Sequence, residues 1–177
     1  MKVCVILSNG FEEIEAIGTI ALLKRSGLEV DIHALNDTKA SGKHQLVLSD
    51  LLKFNEVNTN DYDALLIPGG PHYAELEKNE SVKNVITNFM NQGKLVCGIC
   101  AAPTILGHMG YLKGKKYTCF TSMDEDFGGA YLDQYVVTDG NLITARSAAA
   151  SIDFAFAIIR YLQGSVQEEK VKKEIYY

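Results

Sequence analysis

Short apolar runs alternate with stretches of helical periodicity along most of this chain. Val3 to Leu7 is an unbroken aliphatic run, the pattern of a strand buried on both faces. Ile14, Ile17, Ala21 and Leu22 then recur at helical spacing, with Lys24 and Arg25 in the last turn and Gly27 as a stop. Leu28 to Ala34 reads as a second strand, and Gln45–Leu48 and Leu51–Phe54 as short strands in an excursion. Ala64 to Ile67 is another buried strand, closed by Pro68-Gly69-Gly70-Pro71. Ser81 to Gln92 is amphipathic, and it leads into a strand over Lys94–Ile99 and a short helix from Pro103 to about Met109. Short strands follow at Tyr117–Cys119, Tyr135–Thr138 and Leu142–Thr144, with a Gly128-Gly129 loop between the first two. A helix from Ser151 to Leu162 ends at Gly164, and the charged tail from Val166 to Ile175 predicts a surface helix.

This alternation predicts an α/β fold: a mostly parallel central sheet with helices on both faces. Ligands of such sheets sit beyond the carboxyl ends of the strands. Three segments should converge there: Asn9 to Glu15, Pro68 to Pro71, and Cys100 to Ala102.

The chemistry points to the same place. Cys100 ends an apolar run just where a helical pattern begins, and Gly98 and Ala102 flank it. That is the layout of a nucleophile elbow, whose sharp turn leaves room only for small neighbours. A thiol at a helix N-terminus is expected to gain thiolate character. The competing reading is an inert core cysteine, the ordinary fate of a thiol in an apolar stretch. Cys97 fits that second reading, because residues three apart on a strand point to opposite faces. The Cys97-x-x-Cys100 pair lacks the second ligand pair of a zinc knuckle, so no metal site is expected.

Glu12, Glu13 and Glu15 open the first helix, where acidic residues complement the dipole. That accounts for Glu12 and Glu13. Glu15 falls on the inward side by phase, where a carboxyl group beside Cys100 would be pushed toward its protonated form. Glycine lets a backbone N–H approach a ligand closely, so the Gly70 and Ala101 amides are candidates to cradle an oxyanion. His33, His44, His72 and His108 read as surface or supporting residues, and none announces itself as a general base.

Composition narrows the field. The chain has 177 residues, enough for one domain with a sizeable core, and its 47% hydrophobic and 22% charged residues are ordinary for a globular protein. A net charge of −5 with interspersed signs calls for neither nucleic acid nor a membrane surface. Cys4, Cys97, Cys100 and Cys119 lie in or beside apolar runs, which suits a reducing compartment, and no secretory signal opens the sequence. Cytoplasmic location is the expectation.

Four segments carry a family resemblance: Gly10-Phe11-Glu12-Glu13-Ile14-Glu15, Ile67-Pro68-Gly69-Gly70, Ile99-Cys100-Ala101-Ala102-Pro103-Thr104, and Thr144-Ala145-Arg146 ahead of Ser151-Ile152-Asp153-Phe154-Ala155. In this order and spacing the chain resembles the ThiJ/PfpI superfamily over its whole length, in its Parkinson-disease deglycase ("DJ-one" type) branch. The resemblance implies a flavodoxin-like Rossmannoid three-layer sandwich, a homodimer, and a strained elbow cysteine that oxidises readily. It also implies a protonated Glu15 bonded to the sulfur, and Arg146, with Gly69 and Gly70, at the anion-accepting edge of the pocket. The implied activity is a cofactor-independent glyoxalase or protein deglycase (hydro-lyase or hydrolase) acting on small dicarbonyls or early glycation adducts of proteins. The alternative is a non-catalytic redox sensor or redox-regulated chaperone using the same thiol. Many members place a histidine near the thiol where this chain has Phe120. Cys100-Ala101 argues against the peptidase branch, and the lack of any histidine after His108 argues against glutamine amidotransferases.

Overall fold

The structure is a computed structural model that describes all 177 residues. Eleven strands form: β1 (Lys2–Leu7), β2 (Glu29–Ala34), β3 (Ala40–Ser41), β4 (Val47–Leu48), β5 (Leu52–Lys53), β6 (Ala64–Ile67), β7 (Leu95–Ile99), β8 (Lys116–Tyr117), β9 (Ala130–Tyr131), β10 (Val136–Asp139) and β11 (Leu142–Ala145). Seven of them make the central sheet in the order β10-β11-β7-β6-β1-β2-β5. Every pairing in it is parallel except the β10–β11 hairpin at one edge. Strand order reverses at β1, which lies between β2 and β6, so loops leaving β1 and β6 part there and open a crevice.

The helices are α1 (Thr19–Arg25), α2 (Tyr73–Lys78), α3 (Glu80–Asn91), α4 (Ala102–His108), α5 (Ser151–Gln163) and α6 (Ser165–Glu174). The pleat of each strand divides its side chains between two apolar layers. Val3, Val5, Leu7, Leu66 and Cys97 pack with Leu23 of α1, Phe154 and Ile158 of α5 and Val171 of α6. Cys4, Ile6, Leu65, Ile67 and Val96 pack on the other face with Leu76, Ile86, Phe89 and Ile105 of α2, α3 and α4. Burying both faces is why these strands read as continuous apolar runs rather than as alternation.

Several expectations shift. The excursion holds only two-residue strands: β4 pairs antiparallel with β3, which the pattern did not predict, and Phe54 leaves β5 to begin a 3₁₀ turn. Tyr117 does not join the main sheet, since β8 pairs with β9 and the next amide, Thr118 N–H, donates to Thr144 Oγ1 at 2.9 Å. The helix α2 precedes the predicted amphipathic helix. The tail helix α6 is only partly a surface element, with Val171 fully buried and Glu168 4% exposed.

The largest correction concerns the first helix. Residues Ile14–Gly18 form a π-turn before α1. The wider turn shifts the helical phase, so Ile14 is 59% exposed while Glu15, Ala16, Thr19 and Leu23 are buried. Ala21, predicted on the inner face, is also exposed.

Candidate active site

Cys100 follows β7 with φ of 63°, the left-handed region that side chains other than glycine rarely adopt. Two backbone bonds hold it there. Its N–H donates to Ala145 O at 2.9 Å, and its carbonyl accepts from Phe120 N at 2.9 Å. The chain then enters α4, whose first turn is secured by Thr104, with both its N–H and its Oγ1 bonded to Ala101 O. Strain of this kind, about 1–2 kcal/mol, persists only where the surroundings over-determine it.

The loop after β6 brings the acid to the thiol. Glu15 is 1% exposed, and its Oε2 accepts from Gly69 N at 2.9 Å. Its carboxyl lies beside the Cys100 thiol, near enough for each group to shift the other's ionisation. Gly69 is wedged between them: a Cβ there would collide with Glu15 Oε2 and Cys100 Cβ. Gly70 has φ of +99°, and a Cβ on it would press at 2.5 Å on Glu12 N and Gly10 O. Glu12 N donates to Gly69 O at 2.8 Å, which stitches the β1 and β6 loops together.

Burial dominates the electrostatics. It raises the Glu15 carboxyl from 4.5 to about 7; the neighbouring Cys100 thiol opposes this and the Glu12 charge adds to it. Burial and then the Glu15 charge push the Cys100 thiol up to about 12, while the neighbouring Ala101 and Gly70 N–H groups pull it down. The expected thiolate at a helix start is therefore corrected. The seven-residue α4 helps less than desolvation hinders. Cys4, Cys97 and Cys119 are fully buried, and burial raises all three thiols too.

The remaining residues fall as follows. Arg146 follows Ala145 in the chain, and its guanidinium pairs with Asp133 at 2.9 Å. Phe120 lies against the elbow through its backbone, with its side chain 43% exposed. Glu12 and Glu13 are not the solvated helix-start acids expected from sequence, being 5% and 6% exposed. His72, read as a loop residue, is buried beneath the site. Ser8 N donates to its Nδ1 at 3.1 Å and its Nε2 meets Pro68 O at 2.8 Å, so it is the neutral imidazole with the proton on Nε2. Burial lowers its pKa to about 4. The sequence carried no sign of this positioning role, which needs the β1 and β6 ends side by side. His33 bonds Tyr62 and Lys53 O, and His108 bonds Glu77 and Glu125.

A partly exposed elbow thiol, a buried acid and converging amides at a parallel sheet's switch point define a cysteine-elbow protein of flavodoxin-like architecture. Comparison with known proteins gives the same architecture. The model of the DJ-1/PfpI family matches residues 1–161, and the chain belongs to that family. It is 35% identical over 149 residues to a protein named Deglycase PfpI from Pyrococcus furiosus, covering 82% of this chain and 90% of that one. It is 32% identical over 175 residues to Protein dj-1beta of Drosophila melanogaster, covering 96% and 93% of the two chains. The crystal structure of a cysteine-to-alanine mutant of a DJ-1 superfamily protein from Salmonella typhimurium superposes with a TM-score of 0.93 at 33% identity, over 99% and 98% of the chains.

The Glu15 proton makes a stability prediction. The folded value lies above the unfolded one, so the folded state holds the proton more tightly. The associated stabilisation is complete below about pH 4.5 and lost as pH rises through about 7. Its size is about 3 kcal/mol. Urea unfolding of wild type and Glu15→Gln at pH 5 and pH 8 should show the wild type losing about that much more. His72 titrates alike in both proteins and cancels. Parallel pH curves would remove the buried proton from Glu15.

Proposed function

We propose that this protein is a deglycase- or glyoxalase-type enzyme that acts on small dicarbonyls or early glycation adducts through Cys100, without a cofactor. The observation that supports this most is the shared environment of the sulfur, with the Glu15 carboxyl and the Gly70 and Ala101 amides around it. Relatives named deglycase at about one-third identity support the reaction class.

The acid and the thiol compete for one proton: either a carboxylate faces a thiol, or a carboxylic acid faces a thiolate held by the two amides. Reaction draws on the second arrangement. The thiolate adds to the aldehyde carbon of methylglyoxal, and Glu15 protonates the new alkoxide to give a hemithioacetal. Glu15, now a carboxylate, takes the hydrogen from that carbon as a proton. The proton returns at the neighbouring carbon while the hydroxyl proton passes to the former ketone oxygen, leaving a thioester. Water cleaves the thioester to lactate and restores the thiol, so one water is consumed and no external oxidant or reductant is needed. The amides stabilise oxyanions throughout. With Phe120 where relatives place a histidine, proton transfer rests on Glu15. Arg146 and Gly69 border the substrate edge.

Purified protein incubated with methylglyoxal should form lactate, Cys100→Ala should abolish turnover, and Glu15→Gln should lower it about 10²–10⁴-fold. Turnover that survives in Cys100→Ala ends the enzymatic reading.

A second reading has its own support, because Cys100 is the one thiol of four that is not fully buried. In it, Cys100 oxidation in the cytoplasm signals oxidative stress or switches a chaperone surface. Mild peroxide should place the first sulfinate on Cys100 by peptide mass spectrometry; first modification at Cys4 or Cys119 contradicts it.

The homodimer belongs to the same reading. Ile14, Leu46 and Val47 are 59%, 57% and 60% exposed, on two segments joined by Lys43 N to Phe11 O and His44 N to Glu13 Oε1. Light scattering should read about twice the 19.5 kDa chain mass, falling to one chain for a double Ile14→Glu, Val47→Glu variant. A monomeric wild type refutes the dimer. No helix is long and apolar enough to cross a membrane.

A further inference from the structure

Beside the elbow lies a group of side chains that the proposed reaction leaves unused. One carboxylate oxygen each from Glu12 and Glu13 and one ring nitrogen of His44 lie within 4.8 Å of one another. Both acids are more than nine-tenths buried, at 5% and 6% exposure, whereas His44 is exposed. The main chain meets only part of their acceptor capacity. Glu12 Oε2 accepts from Glu15 N at 2.9 Å, and Glu13 Oε1 accepts from His44 N at 2.6 Å. Glu13 Oε2 is buried with no hydrogen-bond partner at all. A buried carboxylate oxygen without a donor is costly, and a second carboxylate beside it adds like-charge repulsion.

The surroundings hold this arrangement in place. Glu13 lies under the 41–46 loop, where a Cβ on Gly42 would collide with its carboxyl group. The loop is tied down by Lys43 N to Phe11 O at 2.9 Å and closed by Gly42 N to Leu46 O at 2.8 Å. The loop thus keeps His44, an exposed residue, within reach of the Glu12 and Glu13 carboxylates.

We propose that Glu12, Glu13 and His44 form a binding site for a divalent first-row metal ion such as Zn²⁺ or Mn²⁺. The ion supplies the positive charge that Glu13 Oε2 lacks. Donors sharing one such ion, with bonds of about 2.0–2.2 Å, sit about 3–4 Å apart, so rotation of the exposed imidazole closes the cluster. An imidazole with two carboxylates selects first-row transition ions over Mg²⁺ and Ca²⁺, which favour all-oxygen sets. The site adjoins Ile14, Leu46 and Val47, so a bound ion lies beside the proposed dimer face. Neither Cys100 nor Glu15 is a ligand, so the ion staples the 41–46 loop to the first helical turn and takes no part in bond making.

The test uses the full chain, stripped of metal, in a Cys100→Ala background so that the thiol cannot contribute ligands. Calorimetric titration with ZnCl₂ and with MnCl₂ should show one ion per chain, with MgCl₂ giving no binding isotherm. Adding His44→Ala should weaken Zn²⁺ binding at least tenfold; the side chain is exposed, so the fold does not depend on it. Adding Glu13→Gln, which keeps the acceptor for His44 N, should do the same. Zn²⁺ should raise the melting temperature of the Cys100→Ala protein and not of its His44→Ala derivative. Binding that needs Cys100, or that is unchanged by His44→Ala, overturns the proposal. Because the readout is metal binding in a protein without its nucleophile, this outcome and the outcome for the dicarbonyl reaction are separable.

Discussion

One residue in a left-handed backbone conformation sets the geometry of the candidate site. Cys100 is held at φ of 63° by Ala145 on one side and Phe120 on the other. Those contacts exist because β7 runs between β6 and β11 in a parallel sheet, which brings the ends of neighbouring strands to the same edge. The turn leaves Cys100 partly buried at the margin of the apolar layer that encloses Cys97, beside Glu15 and the Gly69-Gly70 loop. It also presents the Ala101 amide to the sulfur as α4 begins.

A steric constraint completes the arrangement. The acid and the thiol meet only because residue 69 has no side chain, and the β6 loop closes on the β1 loop only because residue 70 has none. The π-turn over Ile14–Gly18 leaves Ile14 outward, while Glu15 faces inward as its phase in the sequence predicts. His72 braces both loops from below with one nitrogen to each. Backbone geometry, more than any ion pair, places the reactive groups.

The electrostatic consequence runs against the simple picture of an activated thiol. Desolvation raises both Cys100 and Glu15, so the pair gives up its last proton reluctantly. Two amide donors then decide how far that proton sits on the carboxyl rather than on sulfur. The chain belongs to the DJ-1/PfpI family and has relatives named deglycase. Glu12 links this site to the acidic cluster beside it, since the same side chain bonds the Glu15 amide and lies within reach of Glu13 and His44.

The apolar runs at Val3–Leu7, Ala64–Ile67 and Leu95–Ile99 determined a parallel sheet with covered faces, because only strands buried on both sides lack alternation. The small residues around Cys100, the Gly69-Gly70 pair and the phase of Glu15 determined which groups could meet beyond it. Tertiary structure decided the rest. Burial of Glu12 and Glu13 depends on a loop about thirty residues away in sequence, so the local helix-start pattern described them as solvated. The balance of desolvation against amide donors at Cys100 likewise depends on how deep the sulfur lies. The exposure of Ile14 depends on an extra residue in one turn, which a fixed helical period does not contain. Local pattern specifies what each segment buries; the pKa of a group and the partner of a carboxylate belong to segments brought together only by the fold.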